Sequence, residues 1–240
     1  MTAGQGSSTE ALDVVPADQA SLVVCTSVSR IFGGGPLAVP AVKDVSVTVA
    51  PGMRVALTGP SGSGKSTLLH LMAGLETPSS GSVTWPGIGG SPMGRAGVVG
   101  LVFQGPSLVP ALDVLENVTL PLLLAGVGEA DAVRRAGAAL QRLNVHGLAS
   151  KLPEEISGGQ AQRVAVARVL ASRPQLIFAD EPTAQLDHET GAHVIEVLLE
   201  TAAELDAPLV VTTHDPVVAE RFADHWQMAD GSLVDGDRTC

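Results

Sequence analysis

The stretch Gly59–Thr67, GPSGSGKST, constrains this chain more than any other. It satisfies the pattern G-x-x-x-x-G-K-[ST] through Gly59, Gly64, Lys65 and Ser66. A short apolar run, RVALTG, precedes it, and STLLHLMAGL follows; these read as a strand and a helix, the context such a turn requires. The glycines let the backbone wrap an anion, so that the N–H groups of Ser61, Gly62, Ser63 and Gly64 point inward, with Pro60 shaping the entry to the turn and Thr67 in the first helical turn. Lys65 is placed to reach the β- and γ-phosphates of a nucleotide, and the Ser66 hydroxyl is placed to ligate Mg²⁺. Nucleotide binding follows from this stretch, whereas the reaction does not.

A second element bears on the reaction. LIFADEPT, Leu176–Thr183, is an apolar run ending in two adjacent carboxylates. Runs of this kind are buried strands of parallel sheets, and ligands sit at their carboxyl ends. Asp180 there can organise Mg²⁺ and its waters, and Glu181 can orient an attacking water or accept its proton. Taken alone, the pair reads equally well as a surface cap for the following helix. A further glycine-bearing helix start, EEISGGQAQRVAVARVLAS (Glu154–Ser172), offers backbone donors to an anion but has no lysine in its turn.

The rest of the chain supplies the scaffold. LVVCTSV and VKDVSVTVA read as antiparallel strands joined through FGGGPLAVPA, and GSVTW and VVGLVFQ as further strands. DVLENVTLPLLLAG and EADAVRRAGAALQRLNV carry helical periodicity and mark a helical insert at about 107–160. Beyond it, strand and helix alternate again, with ETGAHVIEVLLETAAEL and DPVVAERFADHW as helices and PLVVTTH as a strand, which favours a parallel sheet covered on both faces. Residues 1–20 are polar and small, and read as a disordered leader to a domain over 21–240.

Composition removes several classes of function. Hydrophobic residues make up 45% of the chain, yet the longest such stretch, Val118–Gly128, is too short to span a bilayer and contains Pro121. The N-terminus lacks the basic start and apolar core of a secretory signal, which points to the cytoplasm. A formal net charge of −11 argues against nucleic acid as a partner. Cys25 and Cys240 form neither a disulfide framework nor a metal set.

Together, GPSGSGKST, ISGGQ and LIFADEPT resemble the ATP-binding cassette family over roughly Leu22–Val234. ISGGQ is similar to that family's LSGGQ signature, with Ile156 in place of leucine. The resemblance implies an α/β P-loop NTPase: a RecA-like core with an antiparallel β subdomain and an inserted α-helical subdomain. It also implies roles for further residues. Phe32 would stack on adenine, although it is also readable as a core aromatic. Gln104 would touch Mg²⁺ and the attacking water, Asp187 would cross to a second subunit, and His214 would contact the γ-phosphate. Ser157, Gly158, Gly159 and Gln160 would meet the nucleotide of a partner copy. The cofactors implied are ATP and Mg²⁺, and the partners are a second copy of the ATPase and an integral membrane permease, at the cytoplasmic face of the membrane.

Two features bear on the branch. FGGGPLAVPAV and SLVPALDVLENVTLPLLLAG are similar to ATPases serving lipoprotein-release and macrolide-export permeases. The short glycine-rich segment after Trp85 is instead similar to importers of the sulfonate or nitrate kind. A soluble, non-transport cassette is a further alternative. Gln185 departs from the small or asparagine residue often found at its position.

Overall fold

The computed structural model describes residues 21–234, and the expected leader at 1–20 lies outside the described residues, as does Cys240. The Val-rich first part forms a small sheet. Strand β1 (Val23–Phe32) pairs antiparallel with β2 (Val39–Val49) and with β4 (Ser80–Thr84), in the order β2-β1-β4.

The second sheet has six strands: β3 (Arg54–Thr58), β5 (Val99–Val102), β6 (Leu176–Asp180), β7 (Leu209–Thr212), β8 (Asp224–Ala229) and β9 (Ser232–Val234). Their order is β5-β6-β7-β3-β8-β9. All neighbours are parallel except the closing β8–β9 pair. Each central strand is buried on both faces, which explains its unbroken apolar sequence. In β6, Leu176 and Phe178 enter one core, while Ile177 and Ala179 enter the other. The first core holds α1 (Lys65–Met72) through Leu68, Leu69, Leu71 and Met72, together with the small sheet. The second holds α2 (Val114–Leu124), α3 (Glu129–Arg142), α4 (Gly158–Ser172) and α5 (His188–Glu204). Helix α4 is rich in Ala and Val and mostly buried, so α2, α3 and β5 pack closely around it.

One expectation fails. DPVVAERFADHW is not a single helix: α6 covers only Pro216–Ala219, and Asp224 onward forms β8. Turn hydrogen bonds from Arg221 to Val218 and from Phe222 to Ala219 end the helix. The chain then pairs with the edge of β3, where the Arg54 amide donates to the Asp224 carboxylate at 3.0 Å. That long-range pairing outweighs the local helical period.

Candidate functional site

Strand β3 ends at Thr58, and the loop Gly59–Gly64 carries the chain into α1. Gly64 has φ +100°, and a Cβ there would lie 2.1 Å from the Ala41 carbonyl oxygen of β2. At Gly59, φ +140°, a Cβ would lie 2.1 Å from the Met228 carbonyl oxygen of β8. Both clashes are with backbone, so no side-chain adjustment relieves them. The loop is therefore wedged between the two sheets, and the Gly231 amide donates to the Ser63 carbonyl at 3.1 Å to close it.

Lys65 is 7% exposed, and its Nζ donates to the carbonyls of Gly59 (2.8 Å) and Pro60 (3.0 Å). A buried ammonium is tolerated only when hydrogen-bonded, and the loop's own backbone satisfies it. Ser63 Oγ, in the same loop, is buried with no hydrogen-bond partner. Pro60, Ser61 and Gly62 are exposed, and Ser66 and Thr67 are half-buried at the start of α1. The first-turn amides of a helix have no intrahelical acceptor, and the helix dipole adds positive potential there. The loop is thus an anion cradle in form as well as in sequence.

The sheet order places the next groups beside it, because β3, β7 and β6 are consecutive neighbours. Asp180 closes β6 and is 4% exposed; Glu181 follows at 8%. Thr212, the last residue of β7, joins them. Its hydroxyl donates to Asp180 Oδ1 at 2.5 Å and accepts the Glu181 amide at 2.9 Å. Glu181 sits in the left-handed region, φ +45°, which is costly for a residue with a Cβ. The bonds from its amide to Thr212 hold it there. Two residues past β7, His214 Nδ1 lies 2.8 Å from Glu181 Oε2. A carboxylate oxygen can only accept, so Nδ1 donates, leaving Glu181 Oε1 free. Asp180, Glu181 and His214 are thus brought together as one hydrogen-bonded group. Thr212 is the member that sequence reading missed; its signal was its place in VVTTH, two residues before the histidine.

Gln104 lies exposed just beyond β5, the strand next to β6. Its segment is tied to α4 at both ends. Gln162 Nε2 donates to the Phe103 carbonyl at 3.2 Å, and Arg168 donates to Ser107 O and Oγ at 3.0 and 3.1 Å.

Oxygen atoms of Ser66, Asp180 and Gln104 are the metal-binding candidates, and an all-oxygen set suits Mg²⁺. Among the described residues, no group of three His, Cys, Asp or Glu side chains is placed to hold a metal. An ion here would therefore depend on phosphate oxygens and water for the rest of its shell, the usual habit of Mg²⁺.

Phe32 ends β1 in the small sheet and is 38% exposed, so it is not a core aromatic. The Ser157–Gln160 turn is a finished helix start. Ser157 caps α4, accepting the Gln160 amide at 3.3 Å, while Gln160 Oε1 accepts the Ser157 amide at 2.8 Å. The atoms nearest to Cβ positions at Gly158 and Gly159 belong to Gln185 and Leu186, not to the cradle. One chain does not bring this turn to its own cradle glycines. Asp187 caps α5, accepting the Thr190 amide at 2.9 Å and its hydroxyl at 2.8 Å. The Thr190 amide and then its hydroxyl hold the Asp187 carboxyl below its ordinary pKa. Cys25, buried in β1, has its thiol pushed up to about 12 by burial, which keeps it out of any thiolate chemistry.

These features have close counterparts in known proteins. A family model described as "ABC transporter" matches residues 42–184. The ATP-binding protein LolD of a lipoprotein-releasing system, from Geobacter metallireducens, is 40% identical over 224 residues, covering 89% of this chain and 98% of that protein. The macrolide export ATP-binding/permease protein MacB of Marinobacter nauticus is 38% identical over 221 residues, 89% of this chain but 34% of that longer protein. A dimeric ATP-binding cassette solved in a post-hydrolysis state with ADP and Pi superposes with a TM-score of 0.84 at 33% identity, covering 90% of this chain and 97% of that one. A cradle, a carboxylate strand and a capped ISGGQ helix on this framework carry one conclusion: the chain belongs to the ABC transporter family.

Proposed function

We propose that the chain is the ATP-hydrolysing, nucleotide-binding subunit of an ABC transporter, working as a pair of copies on a separate membrane permease. The observation that carries this is the group at the ends of β6 and β7: Asp180 fixed by Thr212, and Glu181 fixed by His214, beside the cradle strand β3. In each site, one copy supplies the cradle, Lys65, Gln104, Asp180, Glu181 and His214. The other supplies Ser157, Gly158, Gly159 and Gln160; the Gly158 and Gly159 amides, which the capping box leaves free, face the γ-phosphate, with Asp187 crossing the interface. Phe32 stacks on the adenine. The dimeric ADP-bound relative supports this pairing, as does a signature turn with no cradle partner in its own chain.

Lys65 exchanges its two carbonyl partners for phosphate oxygens, and the α1 amides hold the β-phosphate. Glu181 Oε1, the oxygen not engaged by His214, orients a water in line with the γ-phosphorus and takes its proton. The water oxygen bonds to phosphorus as the β–γ bridging bond breaks, and ADP leaves with that electron pair. Ser66, Asp180 and Gln104 would hold Mg²⁺, which would supply positive charge against the phosphate oxygens. Loss of the γ-phosphate removes the bridge between copies, so the pair opens.

Similarity to LolD and MacB over most of the chain favours a partner of the lipoprotein-release or macrolide-export kind, with the ATPase at the cytoplasmic face of the membrane. No helix among the described residues is long and apolar enough to cross a membrane. Leu123 and Leu124 on α2 are 44% and 74% exposed, an apolar patch on the helical insert suited to a membrane-protein partner.

The test is Glu181→Gln. Turnover should fall by about 10² to 10⁴ with ATP affinity retained, and light scattering should detect an ATP-dependent dimer. A variant that turns over normally removes Glu181 from the chemistry.

A further inference from the structure

We infer that Arg30 is a positioning residue of the nucleotide site: it backs one face of Phe32 and ties that ring to the helix leaving the phosphate cradle. The inference rests on the reading of Phe32 as the aromatic that stacks on the base.

Arg30 and Phe32 are two apart on β1, so their side chains share one face of the strand. The Arg30 guanidinium carbon lies 4.6 Å from the centre of the Phe32 ring. This is within the range of a cation–π contact, with the cation over the negative face of the ring. The guanidinium is held in turn by Glu76, with Arg30 Nη2 2.8 Å from Glu76 Oε2. Both side chains of that pair are about three-quarters buried or slightly less, at 26% and 30% exposed, while Arg30 Nε is fully covered and has no hydrogen-bond partner. The guanidinium is therefore placed by its carboxylate and by the ring alone.

Glu76 supplies the connection. It sits in the turn leaving α1, where the amides of Leu75 and Glu76 both donate to the His70 carbonyl. Helix α1 begins at Lys65, at the phosphate end of the site. The chain Lys65–α1–Glu76–Arg30–Phe32 thus fixes the distance between the ring and the cradle across two different sheets. With one face of Phe32 covered, only the other can receive a flat base. An exposed aromatic without such backing loses rotamer freedom each time a ligand stacks on it. Neither Arg30 nor Glu76 needs to touch the nucleotide.

The prediction is a split between base and phosphate. Arg30→Ala should raise KM for ATP about fivefold while kcat stays within about twofold. Inhibition by inorganic tripolyphosphate, which has no base, should be unchanged. Glu76→Gln should move KM in the same direction by less, and it carries the test if Arg30→Ala melts at a much lower temperature. In a Phe32→Ala background, Arg30→Ala should add nothing further. Parallel weakening of ATP and tripolyphosphate overturns the inference, because Arg30 would then act as a charge on the phosphates. So does an undiminished Arg30→Ala effect once Phe32 is gone. If Phe32→Ala itself leaves KM unchanged, the base-stacking reading fails first and takes the inference with it.

Discussion

The chain has two glycine-bearing helix starts suited to an anion, and they are built on opposite plans. At Gly59–Thr67 the three glycines adopt positive φ, and Gly59 and Gly64 are jammed against the backbone of β8 and β2. At Ser157–Gln160 the glycines have no positive φ, and what lies within reach of their Cβ positions is one neighbouring loop, at Gln185 and Leu186. The first turn contains a buried lysine and a serine hydroxyl without a partner. The second contains a closed capping box. One is a loop that the chain completes by itself; the other is a finished helix start that would need a second copy to become a binding site. The difference shows where the fold concentrates its constraint: on the cradle, while the turn that we propose meets a partner's nucleotide is left open.

Substitutions can break that contrast at either end. Gly64→Ala attacks the built pocket and should have the largest effect. A Cβ 2.1 Å from a carbonyl oxygen, on a backbone with φ +100°, should cost about 3 kcal/mol of stability. ATP binding should fall at least tenfold, as read by thermal melting and by titration. Ser157→Arg attacks the open surface. In a Glu181→Gln background it should abolish the ATP-dependent dimer seen by light scattering, while a single chain binds ATP within about twofold of the parent and loses about 1 kcal/mol with its helix cap. A dimer that survives this change would remove the ISGGQ turn from the partner's site.

Smaller effects sharpen the comparison. Asp187→Ala removes the α5 cap and should lower stability by about 1 kcal/mol, independently of any part Asp187 plays across the interface. Gly158→Ala should change stability by no more than about 0.5 kcal/mol, since the nearest atom to its Cβ is the flexible end of Gln185 at 2.9 Å and alanine favours the helix. Matched melts of Gly64→Ala and Gly158→Ala would therefore separate a glycine required by its own fold from one whose place the fold does not require.

Much of this was legible in the residues, and the gaps have a physical pattern. The cradle could be read because backbone wrapping demands glycines at fixed intervals, and β6 because burial on both faces demands an unbroken apolar run. Phe32 could be placed only through resemblance, since a single aromatic carries no period. What stayed hidden depends on partners far apart in sequence. Thr212 acts through Asp180 and Glu181, about thirty residues away. The stretch from Asp224 is a strand because β3 has an edge to fill, while its approach through Val217, Val218 and Phe222 carries a helical spacing. Nothing local marks Gln162 among the polar residues of α4; its amide donates to the Phe103 carbonyl, 59 residues away.

The resting position of Lys65 has a consequence for selectivity. Its ammonium is already ligated by two carbonyl oxygens of the same loop, so the nucleotide entry we propose would be a ligand exchange and not the filling of a void. Neutral carbonyls bind an ammonium less strongly than charged oxygens do, and an incoming group must be anionic enough to displace both. A triphosphate meets that threshold with several oxygens at once, whereas a small, weakly charged solute offers too little in return. The cradle thus carries its own internal competitor, which keeps the lysine occupied until a polyanion arrives.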